Sequence, residues 1–146
     1  MSLLRTAVQK ILSGMLPSSQ SVSKIIIKGF VVEDIIDFAK ENYPKEFVAI
    51  LQGKVRKDTA VVDGLLYQPF VSASHTAVMH INLPMISDSL GSVHSHPGRS
   101  NTPSRADLQF FAKRGIVNLI ICAPYRKEDI ACYDFEGNRR EFETLD

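Results

Sequence analysis

Two spacings of apolar residues alternate along the chain, and the switches between them divide it into elements. Leu3, Leu4, Val8, Ile11, Leu12 and Met15 recur at helical spacing with polar residues between them, which predicts a short amphipathic helix. Pro17-Ser18-Ser19-Gln20-Ser21 then reads as a linker. This segment, residues 1–22, packs on the rest of the chain or on a second copy of it, so a homodimer is one expectation. From residue 23 the pattern is that of one compact domain running to residue 146. Ile25-Ile26-Ile27 predicts a short strand. Val32, Ile35, Ile36, Ala39 and Tyr43 fall on one face of a helix, with Glu33, Asp34, Asp37, Lys40 and Glu41 mostly on the other. Pro44 ends that helix, because proline disfavours helical geometry in the residue before it.

Phe47-Val48-Ala49-Ile50-Leu51 is a near-continuous apolar run, the mark of a strand buried on both faces. A charged turn is expected over residues 54–58. Thr59-Ala60-Val61-Val62, Leu65-Leu66-Tyr67 and the region around Ala77-Val78-Met79-His80-Ile81 are further strand signals. Leu90-Gly91-Ser92-Val93 leads as a strand into two histidines. Asn101-Thr102-Pro103-Ser104 reads as a helix start, with Leu108, Phe111 and Ala112 as the expected buried face and Gly115 as the stop. Residues 117–122 are the next buried strand. The segments 130–134 and 140–142 flank Glu136-Gly137-Asn138 as a closing hairpin. The fold class is therefore α/β, a mixed β-sheet flanked by helices, with no internal repeat.

Composition narrows the partners. The chain has 146 residues, 45% of them hydrophobic and 23% charged, enough for one domain with a real core. A net charge of +1 gives no global field to gather nucleic acid or anionic lipid, so neither is expected as a partner. No apolar run approaches a membrane span. Arg5, Gln9 and Lys10 interrupt the opening segment, which lacks the apolar core of a signal peptide, so a cytoplasmic location is expected. Cys122 and Cys132 are too few for a disulfide scaffold and read as buried free thiols.

The chemistry lies in Val93-His94-Ser95-His96-Pro97 and Ser104-Arg105-Ala106-Asp107. Histidines at i and i+2 on a strand end point to one side, so both imidazoles reach one ion. Pro97 ends the strand, and the next helix returns Asp107 toward them. Two neutral nitrogens and one carboxylate leave a fourth position open on tetrahedral zinc, the arrangement of a catalytic rather than a structural site. Such an ion lowers the pKa of a bound water to about 7 and polarises a carbonyl. Hydrolysis needs a general base as well, and Glu46, opening an otherwise apolar segment, is the candidate. Ser104, one helical turn before Asp107, is the candidate oxyanion donor. Blander readings stand beside these. Ser104 and Asp107 also spell a capping box, Glu46 fits a solvated helix-end charge, and paired strand histidines occur without metal.

These residues together resemble the JAMM/MPN+ metalloprotease family, whose signature is an upstream glutamate, then H-x-H-P, a spacer and S-x-x-D. Here that is Glu46, His94-Ser95-His96-Pro97 and Ser104-Arg105-Ala106-Asp107, within an order of elements that matches over most of residues 24–142. The resemblance implies a cytidine-deaminase-like fold and one Zn2+ per chain held by His94, His96 and Asp107. It also implies Glu46 as general acid/base and Ser104 as oxyanion donor. Without the insertions of the ubiquitin-chain specialists, the chain is more similar to the short archaeal and bacterial members. The implied substrate is the C-terminal tail of a ubiquitin-like modifier. The alternative is a sulfur-carrier protein of ubiquitin fold that is processed by the same site. A non-catalytic scaffold, as in some relatives, is disfavoured because every ligand is present. A zinc nucleoside deaminase is disfavoured because the P-C-x-x-C pair is missing. His75 and His80 fall outside the motif, and Arg99 borders it as a possible substrate contact.

Overall fold

The computed structural model describes residues 22–67 and 89–146. The expected N-terminal helix and linker, the strand expected at residues 77–81, His75 and His80 lie outside the described residues. The elements run β1 (Lys24–Lys28), α1 (Gly29–Asn42), β2 (Val48–Arg56), β3 (Thr59–Tyr67), β4 (Ser89–His96), α2 (Arg105–Arg114), β5 (Val117–Cys122), a 3-10 turn (Lys127–Asp129), β6 (Ile130–Tyr133), β7 (Arg139–Arg140) and β8 (Glu143–Leu145). The eight described strands form one mixed sheet in the order β7-β6-β5-β4-β2-β3-β1-β8. None of the described helices is long and apolar enough to cross a membrane.

Alternation along the strands sorts the core into two layers. α1 turns Val31, Val32, Ile35 and Ala39 inward at helical spacing. They meet Ile25, Ile27, Ala49, Leu51, Val93, Leu119 and Ile121 on one face of the sheet. On the other face Phe111 of α2 packs against Ile120, Ala131 and Tyr133. β5 lies between helices on both faces and is buried throughout, which explains its unbroken apolar character. Each fully buried Ile or Leu here contributes about 1.5–3 kcal/mol.

Several expectations need correction. Residues 54–56 are not a turn: Lys54 pairs with Val61, Val55 with Ala60 and Arg56 with Thr59, so only Lys57 and Asp58 turn the hairpin. Lys57 adopts φ 56°, the left-handed geometry that a two-residue hairpin turn demands. The two signals at 59–62 and 65–67 are one strand. A register shift beside Gln52 and Gly53 skips Asp63, which faces solvent while the pairing continues on both sides. The buried face of α2 is Asp107, Phe110 and Phe111, and Leu108 is 40% exposed. Turning Asp107 toward the sheet brings positions i+3 and i+4 with it and pushes Leu108 and Ala112 outward.

At the end of the chain β7 pairs with β6, as the closing hairpin requires, but β8 pairs parallel with β1. Only Glu141 and Phe142 separate two strands at opposite ends of the strand order, so the sheet curls until its edges nearly meet. Arg140 donates a hydrogen bond to the Val22 carbonyl across that seam, at 2.7 Å. Cys122 and Cys132 are free and buried, as expected, and burial pushes the Cys132 thiol up to about 12.

Gly91 sets how closely β4 approaches β5. A Cβ there would lie 1.7 Å from the Val117 carbonyl oxygen, its register partner. Gly91→Ala is expected to lower the urea midpoint by the equivalent of about 3 kcal/mol, the upper end of ordinary overpacking costs. An unchanged midpoint would show that the two strands separate easily.

Candidate metal centre

The end of β4 carries Ser92, His94 and His96 on one face and Val93 and Ser95 on the other, by simple strand alternation. β2 runs antiparallel beside it with Val48 opposite His94. The pairing continues one step past β2, since the Ser95 N–H donates to the Phe47 carbonyl at 3.0 Å. The Phe47 N–H donates back to the Ser95 hydroxyl at 2.7 Å. Ser95 is thus hydrogen-bonded on the face away from the histidines, as its position between them predicts. Glu46 immediately precedes Phe47, so these two hydrogen bonds hold its backbone beside the end of β4. The Glu46 carboxylate is one of the charges that favour protonated His96.

The third side chain comes from α2. Ser104 is its N-cap, and a full capping box closes the first turn. The Asp107 N–H donates to the Ser104 hydroxyl at 3.1 Å. The Ser104 N–H donates to Asp107 Oδ2 at 2.8 Å. The capping reading of S-x-x-D is therefore correct, and it holds the Asp107 carboxylate beneath the histidines. Asp107 Oδ1 lies 3.2 Å from His94 Nδ1, and Oδ2 lies 3.0 Å from His96 Nε2. Phe110 and Phe111 set their rings edge-on to His94, with centroids at 5.0 and 5.8 Å. His94 and Asp107 are buried and His96 is half-buried.

The loop after Pro97 is tied down at three points. The Ala123 N–H donates to the Gly98 carbonyl at 3.0 Å. Asn101 Nδ2 donates to the Asp129 carbonyl at 3.1 Å, and the Tyr133 hydroxyl donates to the Asn101 carbonyl at 2.8 Å. Ser100 is thereby fixed with its carbonyl oxygen 3.0 Å from His96 Nδ1. A carbonyl only accepts, so Nδ1 carries the hydrogen and Nε2 turns its lone pair toward Asp107. Arg99 is exposed on the same loop.

This donor set fits a shared cation. A neutral imidazole lone pair facing a carboxylate in a buried cleft is repulsive unless a proton or a metal ion lies between them. Ligand atoms about 2.0–2.2 Å from tetrahedral zinc lie about 3.3–3.5 Å apart. Among the described residues no group of three or more His, Cys, Asp or Glu side chains stands in an arrangement that could hold a metal ion. The Asp107 carboxylate instead contacts His94 and His96 directly, one oxygen to each ring, at about 0.1–0.5 Å less than the zinc spacing. Their chemistry and closeness outweigh that small closure.

Without metal, a proton on His96 takes the cation's place. The hydrogen bond that His96 donates to the Asp107 carboxylate is the largest influence raising His96 above its ordinary value of 6.5, against burial. Burial acts to raise the Asp107 carboxyl above 3.8, but hydrogen bonds from His94 and His96 override it and hold it well below the carboxylate range. The His96 contribution to stability is complete below pH 6.5 and is lost as pH rises through its folded value. The Asp107 contribution is complete above pH 3.8 and is lost as pH falls through its folded value. The metal-free chain should therefore melt highest between roughly pH 4 and 6.5. The extra melting temperature from added zinc should grow with pH over the same interval, because zinc needs deprotonated imidazoles. Melting curves in chelator and in zinc from pH 4 to 8 check both trends.

Some participants are not evident from the motif. Ser92, Asn118, Phe110 and the Ser100 carbonyl all shape the site. The available signal was an asparagine inside the otherwise apolar Val117-Asn118-Leu119-Ile120, and a serine two residues before His94 on its own face.

Comparison with known proteins agrees with this geometry. The family described as prokaryotic homologs of the JAB domain matches residues 30–135. A probable metalloprotease of Haloferax volcanii is 34% identical over 128 residues, covering 80% of this chain and 79% of that protein. A JAB1/MPN domain protein from Archaeoglobus fulgidus superposes with a TM-score of 0.65 at 33% identity, over 82% of this chain and 98% of that one. A structure described as a JAMM metalloprotease-like zinc site in the proteasome and signalosome has a TM-score of 0.64 at 31% identity, covering 85% of this chain and 100% of its own. With a family match across most of its length and close relatives over four-fifths of it, the chain belongs to the JAMM/MPN family, among the prokaryotic homologs of the JAB domain.

Proposed function

We propose that the chain is a zinc metallopeptidase that hydrolyses a peptide or isopeptide bond at the C-terminal tail of a ubiquitin-like protein. The observation that carries the reading is the Asp107 carboxylate in contact with both His94 and His96, with the Glu46 charge acting on the same site through His96. Held by those three side chains, a zinc ion would lower the pKa of a water to about 7 and would polarise the scissile carbonyl. Glu46 takes the water's proton on its carboxylate and delivers it to the leaving nitrogen. The Ser104 hydroxyl accepts from the Asp107 N–H, so its own proton is free to donate to the developing oxyanion. No covalent intermediate is needed.

The substrate class rests on family membership. β4 is paired with β2 on one side and β5 on the other, so an extended tail cannot add to the histidine strand itself. It must approach the ends of β4 and α2.

The test uses the full chain, with zinc content measured on the same preparation as cleavage. One substrate is a ubiquitin-fold protein with a C-terminal peptide extension, and the other is an isopeptide conjugate to lysine. Chelator-sensitive cleavage restored by zinc supports the proposal. A zinc-loaded chain that leaves both intact removes the substrate class. A chain that binds no zinc after reconstitution overturns the site.

A further inference from the structure

We infer that Ser92 and Asn118 form a directed hydrogen-bond relay that fixes the tautomer of His94, so that His94 offers Nδ1 to the metal while His96 offers Nε2. The inference rests on the metal reading above and concerns side chains outside the family signature. Ser92 and Asn118 are register partners on the parallel strands β4 and β5, and both are fully buried.

The direction of the relay is set at its far end. Asn118 Nδ2 donates to the Gly115 carbonyl at 2.9 Å. That carbonyl cannot donate, so the amide has one orientation and presents Oδ1 to the Ser92 hydroxyl, 3.1 Å away. Oδ1 only accepts, so it takes the hydroxyl's single proton. Ser92 therefore shows His94 Nε2, at 3.2 Å, a lone pair. Nε2 must carry the imidazole hydrogen, and in the neutral ring Nδ1 is then the bare nitrogen, the one facing Asp107 at 3.2 Å. No solvent reaches Ser92 or Asn118 to compete. His96 is fixed in the opposite sense, because its Nδ1–H faces the Ser100 carbonyl.

The same relay joins the two ends of α2 to one centre. Asp107 in its first turn faces both histidines, and Gly115, its C-cap, orients His94 through Asn118 and Ser92. Ser92 and Asn118 are positioning residues, since neither approaches the reacting atoms.

Nitrogen-15 spectra of the zinc-loaded full chain, labelled at histidine, test this directly. The expected pattern is one ligated Nδ1 with a protonated Nε2 for His94 and the reverse for His96. Ligation of both rings through Nε2 would overturn the inference. Ser92→Ala should weaken zinc binding about 10- to 100-fold, the usual cost of losing such a partner. It should also scramble the His94 pattern, and Ser92→Thr should restore most of the affinity. Ser92→Ala with unchanged zinc affinity and an unchanged pattern would reduce the relay to packing. If the wild-type chain binds no zinc, the metal reading itself fails and this inference falls with it. That result appears before any variant is made. The wild-type spectra also decide the matter if Ser92→Ala does not fold.

Discussion

Glu46→Gln is expected to leave the chain folded and zinc-loaded while lowering kcat by about 10²–10⁴, the range general acid–base catalysis contributes. Glutamine matches glutamate in shape and still accepts a hydrogen bond, but it cannot take a proton near neutral pH. Glu46 is not one of the three converging side chains, so zinc content should stay at the wild-type level. Its position depends on backbone pairing that the substitution does not touch, the reciprocal Phe47–Ser95 hydrogen bonds. Zinc analysis and single-turnover cleavage on the same preparation separate the outcomes. Full turnover would remove Glu46 as the base. Loss of zinc along with turnover would instead make it a ligand.

How far the sequence alone could reach follows from how local each determinant is. The two histidines share a face because strand side chains alternate, and Asp107 returns because a capping box starts the helix. Both rules act within a few residues, and both hold in the structure. Glu46 is different. It lies 48 residues before His94 in the chain, and only the register of β2 on β4 joins them. Family resemblance pointed to it where periodicity could not. Apolar spacing on α2 favours Leu108, Phe111 and Ala112 as its buried face, and of these only Phe111 is buried. The polar Asp107 set the rotation instead, carrying Phe110 and Phe111 inward. β7 and β8 are two and three residues long, too short to show a pattern, and they depend on the curl of the sheet. The Ser92–Asn118 relay needs the parallel pairing of β4 with β5, which no local rule supplies.

Three substitutions separate Asp107's two jobs. Structural zinc sites bind with about 10–16 kcal/mol shared over four ligands, or about 2.5–4 kcal/mol each, so losing one ligand should weaken zinc about 10²–10³-fold. His96→Ala should show that loss together with loss of turnover, while α2 stays capped, because its ring takes no part in the capping box. Ser104→Ala should do the opposite in binding. It removes the acceptor for the Asp107 N–H and costs about 1 kcal/mol of stability, yet it leaves three ligands in place. Asp107→Ala removes the carboxylate that faces both imidazoles and also accepts from the Ser104 N–H, so it should lose zinc and half of the capping box, while its backbone N–H still donates to the Ser104 hydroxyl. Zinc titration and metal-free melting of the three variants distinguish the cases. If His96→Ala kept wild-type zinc affinity, the convergence of the three side chains would be a buried ion pair and not a metal centre. If Asp107→Ala behaved like Ser104→Ala, the aspartate would be a helix cap alone.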